Sequence, residues 1–302
     1  KQINSIFSTQ VFHEIISFGF PLVLVSIMSL LLTSGDRYIL QYFEGSEKVG
    51  IYSASYNFCT LVQSIVVSPL NTAIVPILLH TWNNEGELKT KEFLTKVFKY
   101  YLLAGIPIIF GTIAIGREIL TVIATNKFTS TENVLPYVMA SVIIYGAYFI
   151  TYAGLQISKN TKVIAKYIFL SVLLNVLLNI LLIPRYHITG AAVATLISYA
   201  FFFFSTTKKS FSILSFSIER GPIIKAVFAS TIMYMVMKKL SSDLSIQTNL
   251  SIQTIMLETL AGTITYVFLI CTLDKEIKGS LCYQLKNWYR RKILARRVLR
   301  QN

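Results

Sequence analysis

Six polar residues follow one another along one stretch of this sequence at the spacing of a single helix face. They are Ser53, Asn57, Thr60, Ser64, Ser68 and Asn71. At about 100° per residue, their side chains share an arc of about 80°. Hydroxyl and amide groups bind water, sugars and other polar ligands through hydrogen bonds. The pattern predicts either one wall of a water-filled cavity or a seam of small residues between two helices. The two asparagines favour the cavity.

A charged pair, Asp36 and Arg37, interrupts the apolar stretch that precedes this face. The apolar pattern continues from Tyr38 to Phe43, so we expect the helix to reach about Phe43 and to hold both charges at membrane depth. Asp36 is not expected to neutralise Arg37, because adjacent residues on a helix point in different directions. Arg37 is then available to bind an anionic ligand through its fork of donors. The alternative is an arginine whose long side chain extends to the membrane surface.

A second helix face is rich in tyrosine. Its members share an arc of about 100° and are Tyr137, Ser141, Tyr145, Tyr148, Tyr152 and Gln156. Flat rings that carry hydroxyls suit amphipathic ligands such as sugars, but the same stripe also occurs in ordinary helix packing. Further along the chain, Asn175 and Asn179 are four residues apart, and hydrogen bonding between helices is the default expectation for such a pair.

Together these faces supply the residues that we expect to contact a ligand. The predicted cavity-lining residues are Ser29, Thr33, Asp36, Arg37, Asn57, Thr60, Ser64, Asn71, Tyr145, Tyr148, Tyr152, Asn175 and Asn179. Coupling of transport to an ion would need an ionisable group within the membrane, and Asp36 and Glu258 are the candidates. Glu258 lies near the outer boundary of the last predicted span, where a hydrated carboxylate is the favoured interpretation.

The histidines and cysteines exclude several classes of enzyme. They are His13, His80, His187, Cys59, Cys271 and Cys282. The histidines lie far apart without a carboxylate at a motif spacing, and the cysteines have neither zinc nor redox spacing. The sequence has no glycine-rich phosphate loop followed by Lys-Ser or Lys-Thr. It therefore predicts no metal, no cofactor, no ATP hydrolysis and no enzymatic activity.

The elements that must position these residues are membrane-spanning helices. Of the 302 residues, 54% are hydrophobic and 14% are charged, whereas about a quarter are charged in soluble domains. A helix needs about 20 apolar residues to cross the hydrocarbon core of a bilayer. Eight stretches meet this requirement: 14–34, 51–78, 98–124, 135–156, 163–183, 189–207, 222–240 and 253–272. The sequence predicts an all-α polytopic membrane protein with about eight transmembrane helices.

Basic residues are distributed unevenly between the two sides of these predicted spans. The chain has 28 Lys and Arg residues and a net charge of +14. One side receives 21 of the basic residues and the opposite side receives 7. Because basic residues near span ends accumulate in the cytoplasm, both ends of the chain are predicted to be cytoplasmic. Nucleic-acid binding is excluded, because the spans leave no solvated basic domain.

Several motifs occur in a fixed order along the chain. Pro21, the Asp36-Arg37 pair, the Gly50-x-Tyr52 opening of the next span and Pro76 follow one another in the first quarter. Their order and spacing resemble the opening of the second lobe in bacterial Wzx-type flippases of lipid-linked oligosaccharides. These flippases belong to the multidrug/oligosaccharidyl-lipid/polysaccharide exporter superfamily. The run 173–192 is also similar to this family, and the resemblance covers essentially the whole chain.

The resemblance implies a MATE-like C-terminal lobe of six helices (1–210), two peripheral helices (211–274) and a basic cytoplasmic tail (275–302). It also implies that the N-terminal lobe is missing, so we expect the sequence to be a fragment or half of a split transporter. The implied substrate is an undecaprenyl-pyrophosphate-linked oligosaccharide repeat unit, which the flippase moves across the bacterial inner membrane for O-antigen or capsule assembly. The implied partners are this lipid-linked oligosaccharide, membrane lipids and the missing lobe.

Two alternatives stay open beside this function. A multidrug or cation antiporter of the same superfamily would favour an acidic interior, whereas the faces described above are neutral or basic. A membrane polysaccharide polymerase or acyltransferase is less favoured. The polymerase would be expected to have a large external loop and the acyltransferase a His/Asp motif, and the sequence has neither.

Overall fold

The computed structural model describes residues 9–124, 134–247, 252–274 and 278–279. Within this part of the chain, every regular element is helical. The helices are α1 (Thr9–Val62), α2 (Ser68–Ala124), α3 (Leu135–Thr151), α4 (Ala153–Ile157), α5 (Thr161–Phe211), α6 (Arg220–Gln247) and α7 (Ile252–Leu273). A π-helical segment, Gln63–Val67, joins α1 to α2. The predicted all-α fold is confirmed.

Three of these helices are interrupted at a single residue with positive φ. Gly45 interrupts α1 (φ 79°), Gly86 interrupts α2 (φ 84°) and His187 interrupts α5 (φ 53°). The Tyr52 hydroxyl donates a hydrogen bond to the Asp36 carboxylate at 2.5 Å. In a straight helix, two positions 16 residues apart would be separated by about 24 Å. The chain therefore reverses direction at Gly45.

The other two interruptions also reverse the chain. Val67 and Tyr101 lie on opposite sides of Gly86 in the sequence, yet both approach the same point of α3. In α5, a β-carbon added at Gly190 would lie 2.5 Å from the carbonyl oxygen of Leu182. The two halves of α5 are therefore in backbone contact, and a residue larger than glycine would push them apart.

These reversals divide the described chain into eight helical arms. In chain order, the first to eighth arms are 9–44, 46–85, 87–124, 135–157, 161–186, 188–211, 220–247 and 252–273. The fourth arm joins α3 and α4 across Tyr152. Each arm contains one of the eight predicted spans in full.

The length and composition of the helices fit a multi-pass membrane protein. Four stretches are long and apolar enough to cross a membrane, namely Val23–Ile65, Thr72–Thr121, Thr161–Phe211 and Ile252–Leu273. The first three have 43, 50 and 51 residues, about twice the length that one crossing needs. Each of the three also contains one of the reversals, so each is long enough for two crossings.

The helices extend further than the sequence analysis predicts. Residues 79–97, predicted as a connection, are helical on both sides of Gly86. Charged residues do not end the helix here, because Lys91 pairs with Glu87 at 2.6 Å and Lys89 pairs with Glu92 at 2.9 Å. Ion pairs at this spacing stabilise a helix in water. Hydropathy therefore predicts where a helix leaves the hydrocarbon core of the bilayer. The helix itself can continue beyond that point.

The largest hydrophobic core lies among the first six arms. It is built from α1, α2, α3 and α5 around fully buried side chains such as Leu40, Met139 and Ile183. The helices α6 and α7 pack mainly against α2, around Leu103 and Met233. The six-arm part and the α6–α7 pair thus have separate cores that meet along α2.

Ion pairs join the connections at each end of the arms. At one end, Lys99 pairs with Glu219 at 3.2 Å and Lys225 pairs with Asp274 at 3.0 Å. We call this the lysine-rich end, since the described connections around 89–99, 159–166 and 208–225 meet there. At the opposite end, His187 contacts Glu44 at 2.7 Å. Most of the predicted basic tail, 280–302, lies outside the described residues.

Candidate functional site

Asp36 is the centre of a buried hydrogen-bond network between three arms. Its Oδ2 accepts hydrogen bonds from the Tyr52 hydroxyl at 2.5 Å and from the Thr195 hydroxyl at 3.2 Å. Its Oδ1 is buried and has no hydrogen-bond partner within the described part of the chain. A buried carboxylate oxygen without a partner is energetically unfavourable unless it gains a proton or a cation. The arrangement is therefore suited to hold either one at Oδ1.

Arg37 lies on the same turn but has a different environment. The first arm continues past Phe43, so the prediction that the Asp36-Arg37 pair lies inside a helix is confirmed. The guanidinium carbon of Arg37 is 4.9 Å from the centre of the Tyr56 ring, a cation–π distance. Arg37 is partly exposed. An aromatic ring under the guanidinium leaves the N–H groups at its edge available to an anion.

The polar face of the second arm is open in the described structure. Asn57 and Ser64 are exposed and Thr60 is partly exposed. The hydroxyls of Thr60 and Ser64 donate to carbonyls of their own helix at 2.9 and 2.8 Å, so their oxygens remain as acceptors. The side chain of Asn71 lies outside the described part. This face can accept hydrogen bonds from a ligand rich in hydroxyl groups.

The π segment interrupts this face. Hydrogen bonds from residue i to i+5 in Gln63–Val67 turn the residues that follow by roughly a quarter turn relative to a continuous α-helix. The prediction that all six polar residues share one arc is therefore wrong. Beyond the segment, Ser68 and Thr72 are exposed, and Thr72 was not predicted.

The tyrosines of the fourth arm form an aromatic cluster. The rings of Tyr145 and Tyr148 stack with their centres 6.0 Å apart, and those of Tyr148 and Tyr152 are 4.8 Å apart. The side chain of Ser29 on the first arm lies near the Tyr145 hydroxyl. Its ring also lies 5.2 Å from that of Tyr199. Tyr145 and Tyr152 are partly exposed, whereas Tyr148 is buried. The structure thus brings Ser29 and the tyrosine face together.

Three other predicted residues have mainly local partners. The Thr33 hydroxyl donates to the Ser29 carbonyl at 2.9 Å and is partly exposed. Asn175 and Asn179 are buried, and the Asn179 amide donates to the Asn175 side-chain oxygen at 3.0 Å. This hydrogen bond runs within the fifth arm and not between helices as expected. One polar atom of each asparagine is buried without a partner among the described residues.

Glu258 lies in the α6–α7 pair and not among the first six arms. It is buried, so the interpretation as a hydrated carboxylate is wrong. Glu118 and Lys238 are its charged neighbours, and the Ser241 hydroxyl lies 3.4 Å from the Glu118 carboxylate. Within the described residues, no group of three His, Cys, Asp or Glu side chains is arranged to hold a metal ion.

An apolar cavity of about 380 Å³ lies between Phe58 of the second arm and the helices α2, α6 and α7. Pro107 and Ile115 of α2, Met233 of α6 and Tyr266 of α7 line it, together with Phe58. Phe58 follows Asn57 in the second arm, so hydrophobic and polar surfaces lie side by side. Such a surface can contact both halves of an amphipathic ligand.

Four residues that surround Asp36 and Arg37 were not among the predicted site residues. They are Tyr52, Tyr56, Thr195 and Tyr199, and each is buried. Tyr52 entered that analysis only as part of a family motif. Their spacing could have identified them. Tyr52 and Tyr56 are four residues apart, as are Thr195 and Tyr199, and both pairs lie in mainly apolar stretches. That spacing places both members of a pair on one helix face.

The chain was compared with protein families, curated proteins and solved structures. Residues 2–82 match the family described as polysaccharide biosynthesis protein. A sequence comparison with curated proteins finds no match. Among solved structures, the lipid II flippase MurJ in an inward closed conformation is similar, with a TM-score of 0.70 and 20% identity over 90% of this chain.

The chain spans 56% of the length of that flippase structure. At 20% identity, the similarity shows the fold. The described helices therefore share the fold of part of that flippase structure.

Proposed function

We propose that this chain is the C-terminal part of a flippase for undecaprenyl-pyrophosphate-linked oligosaccharide repeat units in O-antigen or capsular polysaccharide assembly. In this proposal it is a transporter and not an enzyme. The observation that carries the proposal is the open polar face of the second arm, with the partly exposed Arg37 on the neighbouring arm. The polysaccharide biosynthesis family match and the flippase fold support a lipid-linked polysaccharide precursor. The identity of the lipid follows from the family resemblance.

The oligosaccharide would move along the polar face. A glycan cannot enter hydrocarbon without losing its hydrogen bonds to water, which costs several kcal/mol for each polar group. Asn57, Thr60 and Ser64 supply replacement partners at successive turns of the second arm. Tyr145 and Tyr152 add partly exposed rings on the fourth arm, and flat rings pack well against sugar rings.

The pyrophosphate would bind Arg37. A guanidinium can give two parallel hydrogen bonds to phosphate oxygens, and the Tyr56 ring holds this guanidinium by its face. The lipid chain would follow the apolar cavity beside Phe58. These three surfaces match the three chemical parts of a lipid-linked oligosaccharide.

Asp36 is the proposed coupling residue. Its buried Oδ1 has no partner among the described residues, and Tyr52 and Thr195 hold the other oxygen in place. Binding of a proton or cation there would remove a buried negative charge from the junction of three arms and so alter the packing between them. Glu258 is a second candidate, but it lies in the α6–α7 pair.

A second lobe would complete the transport path. The polar face of the second arm is open on the side away from the six-arm core, and the chain covers 56% of the similar flippase structure. We propose that an N-terminal lobe of the same protein supplies the facing wall. We also propose that the protein lies in the bacterial inner membrane with the lysine-rich end in the cytoplasm, because cytoplasmic loops carry an excess of Lys and Arg.

The rival transport function, export of cationic drugs, fits the site less well. Arg37 would repel a cation at the polar face, and Asp36 is fully buried behind that face. Both features favour an anionic substrate over a cationic one.

Replacement of Arg37 tests the proposal. In a strain without its own flippase, the full-length gene with Arg37→Ala should reduce surface polysaccharide about tenfold or more, since a hydrogen bond to a charged group contributes about 1.5–3 kcal/mol. Arg37→Glu should reduce it further by repelling the pyrophosphate. Surface polysaccharide would be measured by immunoblot and normalised to the amount of transporter in the membrane.

Arg185→Ala is the matched control, because Arg185 is an exposed arginine close to the His187 reversal. It should leave surface polysaccharide unchanged. Normal polysaccharide with Arg37→Glu at an equal protein level would contradict a role for Arg37 in substrate binding. If Arg37→Glu left surface polysaccharide normal but made the cells sensitive to drugs, the antiporter would be favoured.

A further inference from the structure

A polar cavity of about 650 Å³ lies at the lysine-rich end, away from the face described above. It is formed between the first turns of the third arm and the connection between α5 and α6. The polar side chains that concern us are Lys91, Lys96, Lys99, Tyr100, Ser215 and Ser217. The proposed transport path does not use this cavity.

Among the described residues, one ammonium group at this cavity makes no direct ion pair, although Glu92, one turn away on the same helix, lies in its electrostatic surroundings. Glu92 and Glu219 also line the cavity, but Glu219 pairs with Lys99 and Glu92 pairs with Lys89. Lys91 pairs with Glu87. Within the described residues, the ammonium of Lys96 has no ion-pair partner.

Lys99 has an unusual environment for a lysine. Its side chain is only 6% exposed, whereas its partner Glu219 is 45% exposed. A lysine is rarely buried to this extent, because its charge must leave water. Glu219 lies on the outside of the ion pair, and the exposed Ser215 and Ser217 add hydroxyl groups to the cavity lining. The cavity therefore combines one buried cation, one unpaired cation and several hydroxyl donors.

The rim of the cavity is hydrophobic. Leu88 is 71% exposed and Tyr100 is 43% exposed, and both line the cavity. Large apolar and tyrosine side chains at the end of a membrane helix are typical of the interface between headgroups and acyl chains. A ligand with a charged head and an apolar tail would satisfy both parts.

We propose that this cavity binds the phosphodiester headgroup of an anionic phospholipid. Lys96 and Lys99 would attract the phosphate, Ser215, Ser217 and Tyr100 would donate hydrogen bonds to it, and the acyl chains would leave past Leu88. Basic pockets between membrane helices on the cytoplasmic side are suited to anionic headgroups. With the lysine-rich end in the cytoplasm, as proposed above, the lipid comes from the inner leaflet.

Native mass spectrometry of the detergent-purified full-length transporter tests this site. The probes are cardiolipin, phosphatidylglycerol, phosphatidylethanolamine and inorganic phosphate, each titrated separately. The wild-type protein should retain cardiolipin and phosphatidylglycerol in preference to phosphatidylethanolamine. The double variant Lys96→Gln/Lys99→Gln should weaken binding of the anionic lipids about tenfold or more.

Lys208→Gln/Lys209→Gln is the matched control, because it removes two exposed lysines from the same end without changing the cavity lining. It should retain wild-type lipid binding. Because the loss of Lys99 could disturb folding, Ser215→Asp provides a second test that places a negative charge in the cavity and keeps the Lys99–Glu219 ion pair. It should weaken binding to a similar degree at an unchanged Tm.

Equal lipid binding by the wild type and both cavity variants would overturn the proposal. Retention of inorganic phosphate without retention of lipid, or equal retention of phosphatidylethanolamine, would also overturn it. The readout is bound lipid and not transport, so a failure here is separate from a failure of the flippase proposal.

Discussion

Asp36 has the most restrictive environment of the individual residues. A charged side chain at the bilayer centre costs about 2.5–3.5 kcal/mol on insertion scales. Two hydroxyl donors on Oδ2 offset part of that cost, Tyr52 from the second arm and Thr195 from the sixth. Because both donors come from other arms, the same hydrogen bonds that solvate the carboxylate also hold three arms together.

Removal of one donor should therefore destabilise the protein. Tyr52→Phe keeps the ring but leaves the buried Asp36 carboxylate with Thr195 as its remaining hydroxyl donor, and we expect a loss of about 1–3 kcal/mol in the free energy of unfolding. Thermal unfolding of the detergent-purified protein measures it. Tyr38→Phe is the control, since Tyr38 is 77% exposed, and its Tm should not change. If the two variants melt alike, the Tyr52 hydroxyl does not stabilise Asp36.

Sequence patterns identified the residue types of this site but not their partners. The apolar run after Arg37 predicted that both charges lie within a helix, and that is confirmed. The pairing of Asp36 with residues 16 and 159 positions away depends on how the arms pack, which periodicity along one helix does not encode. Periodicity likewise does not show whether Asn175 and Asn179 bond to another helix or, as the structure has it, to each other.

At the scale of the elements, single residues decide where the arms reverse. Gly45 has φ 79° and ψ 177°, a conformation essentially restricted to glycine. Gly45→Ala should therefore lower the free energy of unfolding by about 1–3 kcal/mol.

Gly50 offers a matched control in the following arm, because it has no positive φ and nothing lies within 4 Å of an added β-carbon. Gly50→Ala should be neutral or stabilise by up to about 1 kcal/mol. Both changes would be compared by thermal unfolding in the same detergent. A loss of stability of the same size in both variants would refute the conformational argument.

Hydropathy predicted all eight arms but not their ends or their regularity. Apolar length is set by the bilayer, which is why the eight stretches can be read from composition. The helix through 79–97 was not predicted, because low hydropathy there indicates a connection. Its charged residues instead form ion pairs at helical spacing, which stabilise the helix. The π segment could not be predicted, because one widened turn does not change average hydropathy. The segment does change which polar residues share a helix face.

At the scale of the whole molecule, the two ends differ in charge. The proposed orientation predicts that a cysteine at Ser46, which is exposed near the Gly45 reversal, reacts with a membrane-impermeant maleimide in intact cells. A cysteine at Lys89, which is exposed at the lysine-rich end, should react only after the inner membrane is permeabilised. Labelling would be compared in a background in which all three native cysteines are replaced by alanine.

That background without either new cysteine provides the baseline. The reverse labelling pattern would place the lysine-rich end outside the cell. It would also remove the inner leaflet as the source of the phospholipid.

The α6–α7 pair meets the remainder of the described chain mainly along α2. The contact includes the hydrogen bond from the Tyr266 hydroxyl to the Leu103 carbonyl at 2.6 Å. A change that removes this pair would therefore alter one flank of one helix and leave the larger core among the first six arms intact.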